Sequence, residues 1–325
     1  MKIEKTGINA LISRLLETRW LYSFLGLLVI FIGSSILSSS FLTASNLITI
    51  LRQASILLML SLGLTAVVLT GNIDLSVNSC AALTGCICAK MLVDGMPVAG
   101  AIGLSVLVGV VSGLVNGLLV GTLRLPSFIA TYGTNMVLSG LATVVMNGGV
   151  IYDLPKGFNN LGVGFIGAIP IPIIIAAFFC ILLAVLLQRT TLGRKIYMYG
   201  HNLVASKYSG TNNLLILLIA YIICGLTGSL GGVLMCARLN AADAGMADTY
   251  GLQIVAAVVV GGTSLLGGEG SVFGTIIGAI VLASITNIMN IMKVDSAWQN
   301  LVIGVVILLM VWIDVVTSKK RKGKK

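Results

Sequence analysis

Residues 212–236 have the sequence NNLLILLIAYIICGLTGSLGGVLMC, an apolar stretch without a charged side chain. A helix that crosses the hydrocarbon core of a bilayer needs about 20 such residues. In lipid, the backbone hydrogen bonds must be closed within the segment, and a helix does this. The stretch therefore predicts a membrane-spanning helix that begins near Asn212 and ends shortly before Arg238.

Similar apolar runs recur along the chain on both sides of this stretch. Together they predict an all-α polytopic membrane protein with about ten transmembrane helices in one domain over 20–315. This domain follows an N-terminal segment, 1–19, and precedes a basic tail, 316–325. The runs lie at about 20–38, 47–70, 75–93, 98–121, 127–146, 169–187, 212–236, 252–266, 271–292 and 297–315.

The composition excludes a soluble globular domain. Of the 325 residues, 57% are hydrophobic and 9% are charged, whereas soluble domains carry about 25% charged residues. The same hydrophobicity excludes a disordered chain. Ten spans would use about 200 residues, so a nucleotide-binding or catalytic domain must belong to another chain.

The net charge of +10 is concentrated at the two ends of the chain. Six of the 20 Lys and Arg residues lie in the last seven positions, and four precede the first apolar run. With both termini in the cytoplasm, 15 basic residues lie inside and five outside. Because basic loops favour the cytoplasmic side, the charges predict this orientation rather than binding to nucleic acid.

The acidic residues, cysteines and single histidine indicate no catalytic or metal site. No pair of acids, zinc motif or nucleophile motif is present. No carboxylate lies centrally in a predicted span, whereas an ion-coupled carrier would usually place one near the midplane. The six cysteines fall within or at the ends of apolar runs, so we expect them to be small packing residues.

Glycines recur every four residues in two of the runs. They lie at Gly109, Gly113, Gly117 and Gly121, and again at Gly274 and Gly278. Small residues at this spacing share one helix face and allow close approach of a second helix. The pattern favours tight helix packing, with direct substrate contact as the alternative.

The most informative polar segment is 71–79, with the sequence GNIDLSVNS. Asp74 and Ser76 stand at the start of the third apolar run. Either side chain could cap that helix through its backbone N–H groups. The alternative is a direct role in a transport path or its inner gate.

The internal loop at about 189–211 mixes basic, aromatic and small residues. Asn202 is expected to cap a short helix that extends to Lys207 or Tyr208 and is closed by Gly210. An amphipathic helix here could anchor the loop at the membrane surface or dock a soluble partner. The spacing alone leaves both roles open.

These segments resemble the ribose-type permeases of bacterial ABC sugar importers. Residues 71–79 resemble that family's GGIDLSVGS segment, with Asn72 and Asn78 in place of glycines. Residues 116–120, 126–134, 193–210 and 256–270 also resemble family segments, in the family's order. The resemblance extends over about residues 45–315.

The resemblance implies a type II ABC importer-like permease in a bacterial inner membrane. A second copy or a paralogue would complete a dimer, and cytoplasmic ATPase subunits would hold ATP and Mg, so this chain would need no cofactor. A periplasmic or lipid-anchored binding protein would deliver the sugar. In this family the 189–211 loop corresponds to the ATPase-contacting segment, which favours docking over anchoring.

The resemblance also assigns expected roles to individual residues. The expected ATPase-coupling residues are Gly193, Arg194, Gly200, Asn202, Ala205, Ser209 and Gly210. The expected residues of the transport path or inner gate are Asn72, Asp74, Ser76, Asn78, Thr263 and Ser264.

The expected function is transport of a monosaccharide into the cytoplasm, with ribose or a related pentose as the preferred candidate. Alternatives within the importer class are a hexose, a furanose signal, a nucleoside or a branched-chain amino acid. An ion-coupled secondary transporter and a membrane-embedded enzyme are the rivals from other classes. The neutral character of the predicted spans fits an uncharged polar cargo.

Overall fold

The computed structural model describes residues 19–295, 297–306, 308–309 and 312. Except for Arg19, the predicted N-terminal segment and the basic tail lie outside these residues.

Apolar α-helices make up most of the described chain. In chain order they are α1 (Arg19–Leu37), α2 (Ala44–Leu69), α3 (Val77–Val93), α4 (Val98–Gly121), α5 (Ser127–Met146), α6 (Lys156–Val163), α7 (Ile171–Arg189), α8 (Thr191–His201), α9 (Leu203–Tyr208), α10 (Asn213–Leu239), α11 (Gly251–Val260), α12 (Val272–Ile291) and α13 (Ala297–Val306).

Short strands and a 3₁₀ turn lie in the connections. β1 (Ile151–Tyr152) pairs antiparallel with β4 (Ala241–Ala242). β2 (Phe165–Ile166) pairs in the same way with β3 (Ile169–Pro170). A 3₁₀ turn at Asp248–Tyr250 leads into α11.

The predicted all-α polytopic architecture is confirmed. Among the described residues, six helices are long and apolar enough to cross a membrane, namely α2, α4, α5, α7, α10 and α12. Shorter apolar helices occupy the remaining predicted runs, including α1 and α3. The membrane-spanning character therefore follows from helices spread over the whole described chain.

The eighth predicted run, 252–266, is wrong in its second half. Helix α11 ends at Val260, and Gly262 adopts a φ of +86°. This left-handed conformation favours glycine and terminates the helix. Residues 261–271 form a turn instead, which we call the 261–271 turn.

Helix α10 lies at the centre of the bundle, where glycines bring its neighbours close. A Cβ on Gly109 of α4 would lie 2.5 Å from the carbonyl oxygen of Gly225, and one on Gly113 would overlap that of Tyr221. On α12, Gly274 approaches the carbonyl of Gly261 equally closely. The glycines therefore act in helix packing, as the spacing predicts.

The two long predicted connections contain secondary structure. The segment 147–168 forms β1, α6 and β2, and Gly162 of α6 packs on the backbone of Arg238. The internal loop forms α8 and α9. The six cysteines are buried and free, in accord with a packing role.

Candidate functional site

The segment 71–76 connects α2 to α3 without helical structure, and its acidic side chain is buried. Asp74 is 3% exposed. Its Oδ1 accepts hydrogen bonds from the backbone N–H of Ser76 at 2.9 Å and from the Ser76 hydroxyl at 2.7 Å. The predicted cap is therefore wrong, because Ser76 takes the N-cap position without a side-chain hydrogen bond to the helix.

A polar network joins Asp74 to two neighbouring helices. The Nδ2 atom of Asn116, on α4, donates to the Ser76 Oγ at 2.7 Å and lies 3.4 Å from both carboxylate oxygens of Asp74. The Oγ1 atom of Thr134, on α5, donates to the Oδ1 of Asn116 at 2.5 Å. Asp74 thus fixes the start of α3 against α4 and α5, since buried polar groups require such partners.

Helices α5 and α10 also hold the backbone of segment 71–76. The N–H of Ile73 donates to the Ser127 Oγ at 3.3 Å, and the N–H of Leu75 donates to the Thr131 Oγ1 at 3.1 Å. The Tyr221 hydroxyl donates to the Ile73 carbonyl at 3.2 Å. These hydrogen bonds replace the helical ones that this segment lacks.

Sequence reasoning missed the other members of the Asp74 network as individual residues. Asn116 and Thr134 lie within two of the segments that carry the family resemblance, and each is polar within an apolar helix. That polarity was the available signal, because a buried polar side chain must find a partner.

The two asparagines of the 71–79 segment point to different neighbours. The Asn72 Nδ2 donates to the Thr70 Oγ1 at 3.0 Å and so folds back on the end of α2. Asn78 lies beside the start of α11, where a Cβ on Gly251 would be 3.5 Å from its Nδ2. The structure therefore brings Asp74 and Ser76 together but places both asparagines outside that pair's network.

Thr263 and Ser264 lie in the 261–271 turn. Thr263 is 1% exposed, and its Oγ1 has no hydrogen-bond partner among the described residues. The Ser264 N–H donates to the Glu269 carbonyl at 2.8 Å. This bond closes the turn on itself.

Helices α8 and α9 form the predicted coupling loop. Thr190 caps α8 by accepting from the Gly193 N–H at 3.2 Å. The Asn202 Oδ1 accepts from the N–H groups of Val204 and Ala205, both at 3.0 Å. The predicted Asn202 cap is thus confirmed, and Gly210 follows α9 with a φ of +73°.

The outer surface of this loop is exposed and partly apolar. Tyr208 is 87% exposed, and Leu203 and Val204 are also exposed. Of the expected coupling residues, Arg194, Asn202, Ala205, Ser209 and Gly210 are exposed, whereas Gly193 is buried and Gly200 is half-buried. Contiguous exposed apolar side chains are typical of an interaction surface.

Beneath α8, three parts of the chain meet in what we call the junction. It consists of Leu69–Gly71, Tyr197–Gly200 and Gly267–Gly270. A Cβ on Gly200 would overlap the Leu69 carbonyl oxygen and lie 2.6 Å from the Gly268 nitrogen. The Gly268 N–H also donates to the Leu69 carbonyl at 2.8 Å, so the predicted coupling loop lies directly on the end of α2 and on the 261–271 turn.

A tyrosine hydrogen bond adds to the junction. The Tyr197 hydroxyl donates to the Gly270 carbonyl at 2.9 Å. Burial raises the pKa of Tyr197, so its phenol stays protonated and remains a donor at neutral pH.

The described residues hold no cluster of three His, Cys, Asp or Glu side chains placed to bind a metal ion. What the arrangement offers is mechanical contact between a surface loop and buried polar segments.

Comparison with known proteins gives the same family as the motifs. A family model described as "Branched-chain amino acid transport system / permease component" matches residues 46–311. The ribose import permease protein RbsC of Bacillus subtilis (strain 168) is 39% identical over 293 residues, covering 90% of this chain and 91% of that protein. The protein of the same name from Escherichia coli (strain K12) is 38% identical, covering 90% and 92%.

A further relative is named for a different sugar. The D-allose transport system permease protein AlsC of Escherichia coli (strain K12) is 35% identical over 300 residues, 91% of each chain. No solved structure matches the chain.

The resemblance to ribose-type permeases is thereby confirmed. With a family model over most of its length and relatives aligned over nine-tenths of it, this multi-pass membrane chain belongs to the family of transport-system permease components.

Proposed function

We propose that this chain is the membrane-spanning subunit of an ATP-driven ABC importer that carries a monosaccharide, ribose or a related pentose, into the cytoplasm. The observation that carries the proposal is the alignment with ribose import permeases over nine-tenths of both chains. Relatives named for allose and xylose widen the cargo class to hexoses and other pentoses. The protein would lie in a bacterial inner membrane with both termini cytoplasmic.

The free energy for transport would come from a separate ATPase subunit that binds α8 and α9. The exposed apolar side chains of α9 support this assignment, as does a groove of about 970 Å³ beside it, which Arg124 and Lys207 help to line. A soluble partner could bury this surface, and the buried apolar residues of such interfaces carry most of the binding energy. Within the groove, the two basic side chains favour a partner with acidic residues.

Movement of the ATPase would be transmitted from this surface through the junction to the expected gate residues, which lie in segment 71–79 and in the 261–271 turn. Gly200 contacts both the end of α2 and the 261–271 turn without an intervening side chain. A rigid-body movement of α8 would therefore move both segments, as in other packed two-state systems. Asp74 and Ser76 would keep the start of α3 attached to α4 and α5 during that movement.

A second permease copy or a paralogue would complete the translocation unit, and a periplasmic or lipid-anchored binding protein would deliver the sugar. Under this proposal, this chain performs no covalent chemistry. Sugar selection would be shared with the binding protein.

Reconstituted uptake tests the proposal. The permease is reconstituted in proteoliposomes together with an ABC ATPase encoded near its gene. The binding protein and radiolabelled D-ribose, D-xylose or D-allose are supplied outside. We expect accumulation of at least one sugar that requires internal ATP. Uptake that persists without the ATPase and follows an ion gradient would instead identify a secondary carrier.

A further inference from the structure

A second polar site lies away from the junction, in a cavity of about 330 Å³. Its walls come from α2, α10, α11, α12 and α13, together with the 3₁₀ turn. Nine of its 12 lining residues are polar, which is unusual between helices of such apolar composition. The volume lies near the lower end of the roughly 300–1,000 Å³ found for small-molecule sites.

Two buried polar atoms in this cavity have no partner. The Gln53 Oε1 and the Thr286 Oγ1 are inaccessible, and neither makes a hydrogen bond within the described part of the chain. Both residues line the cavity. Buried polar atoms without partners are costly, so a rotation of either side chain toward a hydroxyl-bearing occupant of the cavity would gain a hydrogen bond.

The chemistry of the lining favours a neutral polyhydroxyl ligand. Amide and hydroxyl side chains predominate, namely those of Gln53, Gln253, Thr286, Asn290 and Gln299. Amides and hydroxyls can each donate and accept, as do the hydroxyls of a sugar. Arg238 is the single charged residue among the described residues of the lining, and it can donate to hydroxyl oxygens.

We propose that this cavity binds a neutral monosaccharide on its way through the permease. The inference rests on the proposed sugar import and adds a location to it. Gln53 lies in the first half of α2 and Arg238 at the end of α10, whereas the junction contains Leu69, the last residue of α2, so the cavity is at the opposite end of the bundle from the junction. In the proposed orientation this is the outer end, where sugar would arrive.

A phospholipid headgroup is the other occupant to consider. It would place a phosphate on Arg238 and leave most of the amides and hydroxyls without a charged partner. The predominance of uncharged donors and acceptors favours the sugar.

The test compares two polar-to-apolar variants with a matched control in the complete importer. Gln53→Leu and Thr286→Val remove the two unpartnered atoms and nearly keep the side-chain size. Thr49→Val makes the same hydroxyl-to-methyl change on α2, at a half-buried site outside the cavity. D-ribose uptake is measured at saturating binding protein, with the amount of assembled complex quantified alongside.

The double variant should lower the maximal uptake rate about tenfold, as expected for two lost hydrogen bonds, with complex assembly within about twofold of wild type. Thr49→Val should transport at the wild-type rate. Wild-type uptake by the double variant, or an equal loss in Thr49→Val, would overturn the cavity assignment while leaving sugar import intact. Failure of the wild-type importer to take up any sugar would overturn both proposals.

A labelling experiment keeps the assignment testable if the double variant assembles poorly. A photoreactive ribose derivative is cross-linked to the wild-type importer, and peptides are identified by mass spectrometry. Label on residues 249–253 or 286–300 that excess D-ribose suppresses would support the site. Label confined to other segments would contradict it, as would a tightly retained phospholipid in the cavity that ribose does not displace.

Discussion

At the scale of single residues, Asp74 illustrates how one carboxylate organises a helix start. Its Oδ1 accepts two hydrogen bonds from Ser76, which in turn is bound by Asn116. An amide oxygen can take over both of these acceptor roles. We therefore predict that Asp74→Asn retains most transport.

Asp74→Leu should behave differently, because leucine accepts no hydrogen bond. It would leave the Ser76 N–H without its acceptor and disturb the network to Asn116, at a cost of about 1–3 kcal/mol for each buried group left unsatisfied. We expect lower permease abundance in membranes and lower uptake, measured by immunoblot and sugar accumulation. If Asp74→Asn instead abolished uptake at normal abundance, the negative charge itself would be required.

Gly200 provides a residue-scale test of the junction. A Cβ at this position would overlap the Leu69 carbonyl oxygen, which is backbone and cannot rotate away. Overpacking of this kind usually costs about 1–3 kcal/mol. We predict that Gly200→Ala separates α8 from the end of α2 and lowers ATP-dependent uptake about tenfold or more.

Gly133→Ala is the matched control for Gly200→Ala. Gly133 lies within α5, and a Cβ added there would meet no atom of another described segment within 4 Å. Alanine there should be neutral or stabilising by up to about 1 kcal/mol, because it is the better helix former. If both variants transport equally well, the close contact at Gly200 does not serve coupling.

The same residues show where sequence reasoning ends. The Asn202 cap was predictable because its acceptor and donors lie within three residues of each other. The network around Asp74 was not, because its partner Asn116 and the Thr134 that binds Asn116 are 42 and 60 positions away along the chain. Such contacts depend on helix packing, which hydropathy does not determine.

At the scale of elements, the length of the apolar runs predicted where helices form, but it did not predict where α11 ends. The run 252–266 is apolar past Val260, yet the chain turns at Gly261 and Gly262. The turn is needed for Gly274 to pack on Gly261 and for Gly268 to reach Leu69. A hydropathy average over a window of residues does not detect single glycines, although Gly261 and Gly262 allow the helix to end and the turn to pack.

Helix α9 is the element on which the docking proposal can be tested. Ala205 is exposed in its first turn, where a glutamate is compatible with the helix dipole. We predict that Ala205→Glu leaves the permease folded but weakens copurification with the ATPase by about 2 kcal/mol, roughly thirtyfold. Uptake should fall together with copurification.

Lys207→Ala serves as the comparison for Ala205→Glu on the same helix. Removal of this exposed charge should change affinity by about 0–1 kcal/mol. If Ala205→Glu copurifies and transports like wild type, α9 is a membrane-surface anchor rather than a docking element.

At the scale of the whole molecule, the arrangement of charge predicts which end of the bundle faces the cytoplasm. The junction, Arg124 and Lys207 lie at the end where α4 finishes and α10 begins. Arg238 and Lys156 belong to the opposite end, where α10 finishes and α6 packs on it. Because basic residues are retained preferentially on the cytoplasmic side, the first end should be internal.

Reporter fusions test this orientation. A reporter placed near Lys207 or fused after Lys325 should give a cytoplasmic signal, whereas one near Lys156 should give an external signal, since 15 of the 20 basic residues then lie inside. Thiol labelling of Lys156→Cys and Lys207→Cys in intact cells provides an independent measurement, because the native cysteines are buried. A membrane-impermeant reagent should modify only the first variant. A cytoplasmic signal at Lys156 would invert the bundle and place the groove beside α9 out of reach of any ATPase.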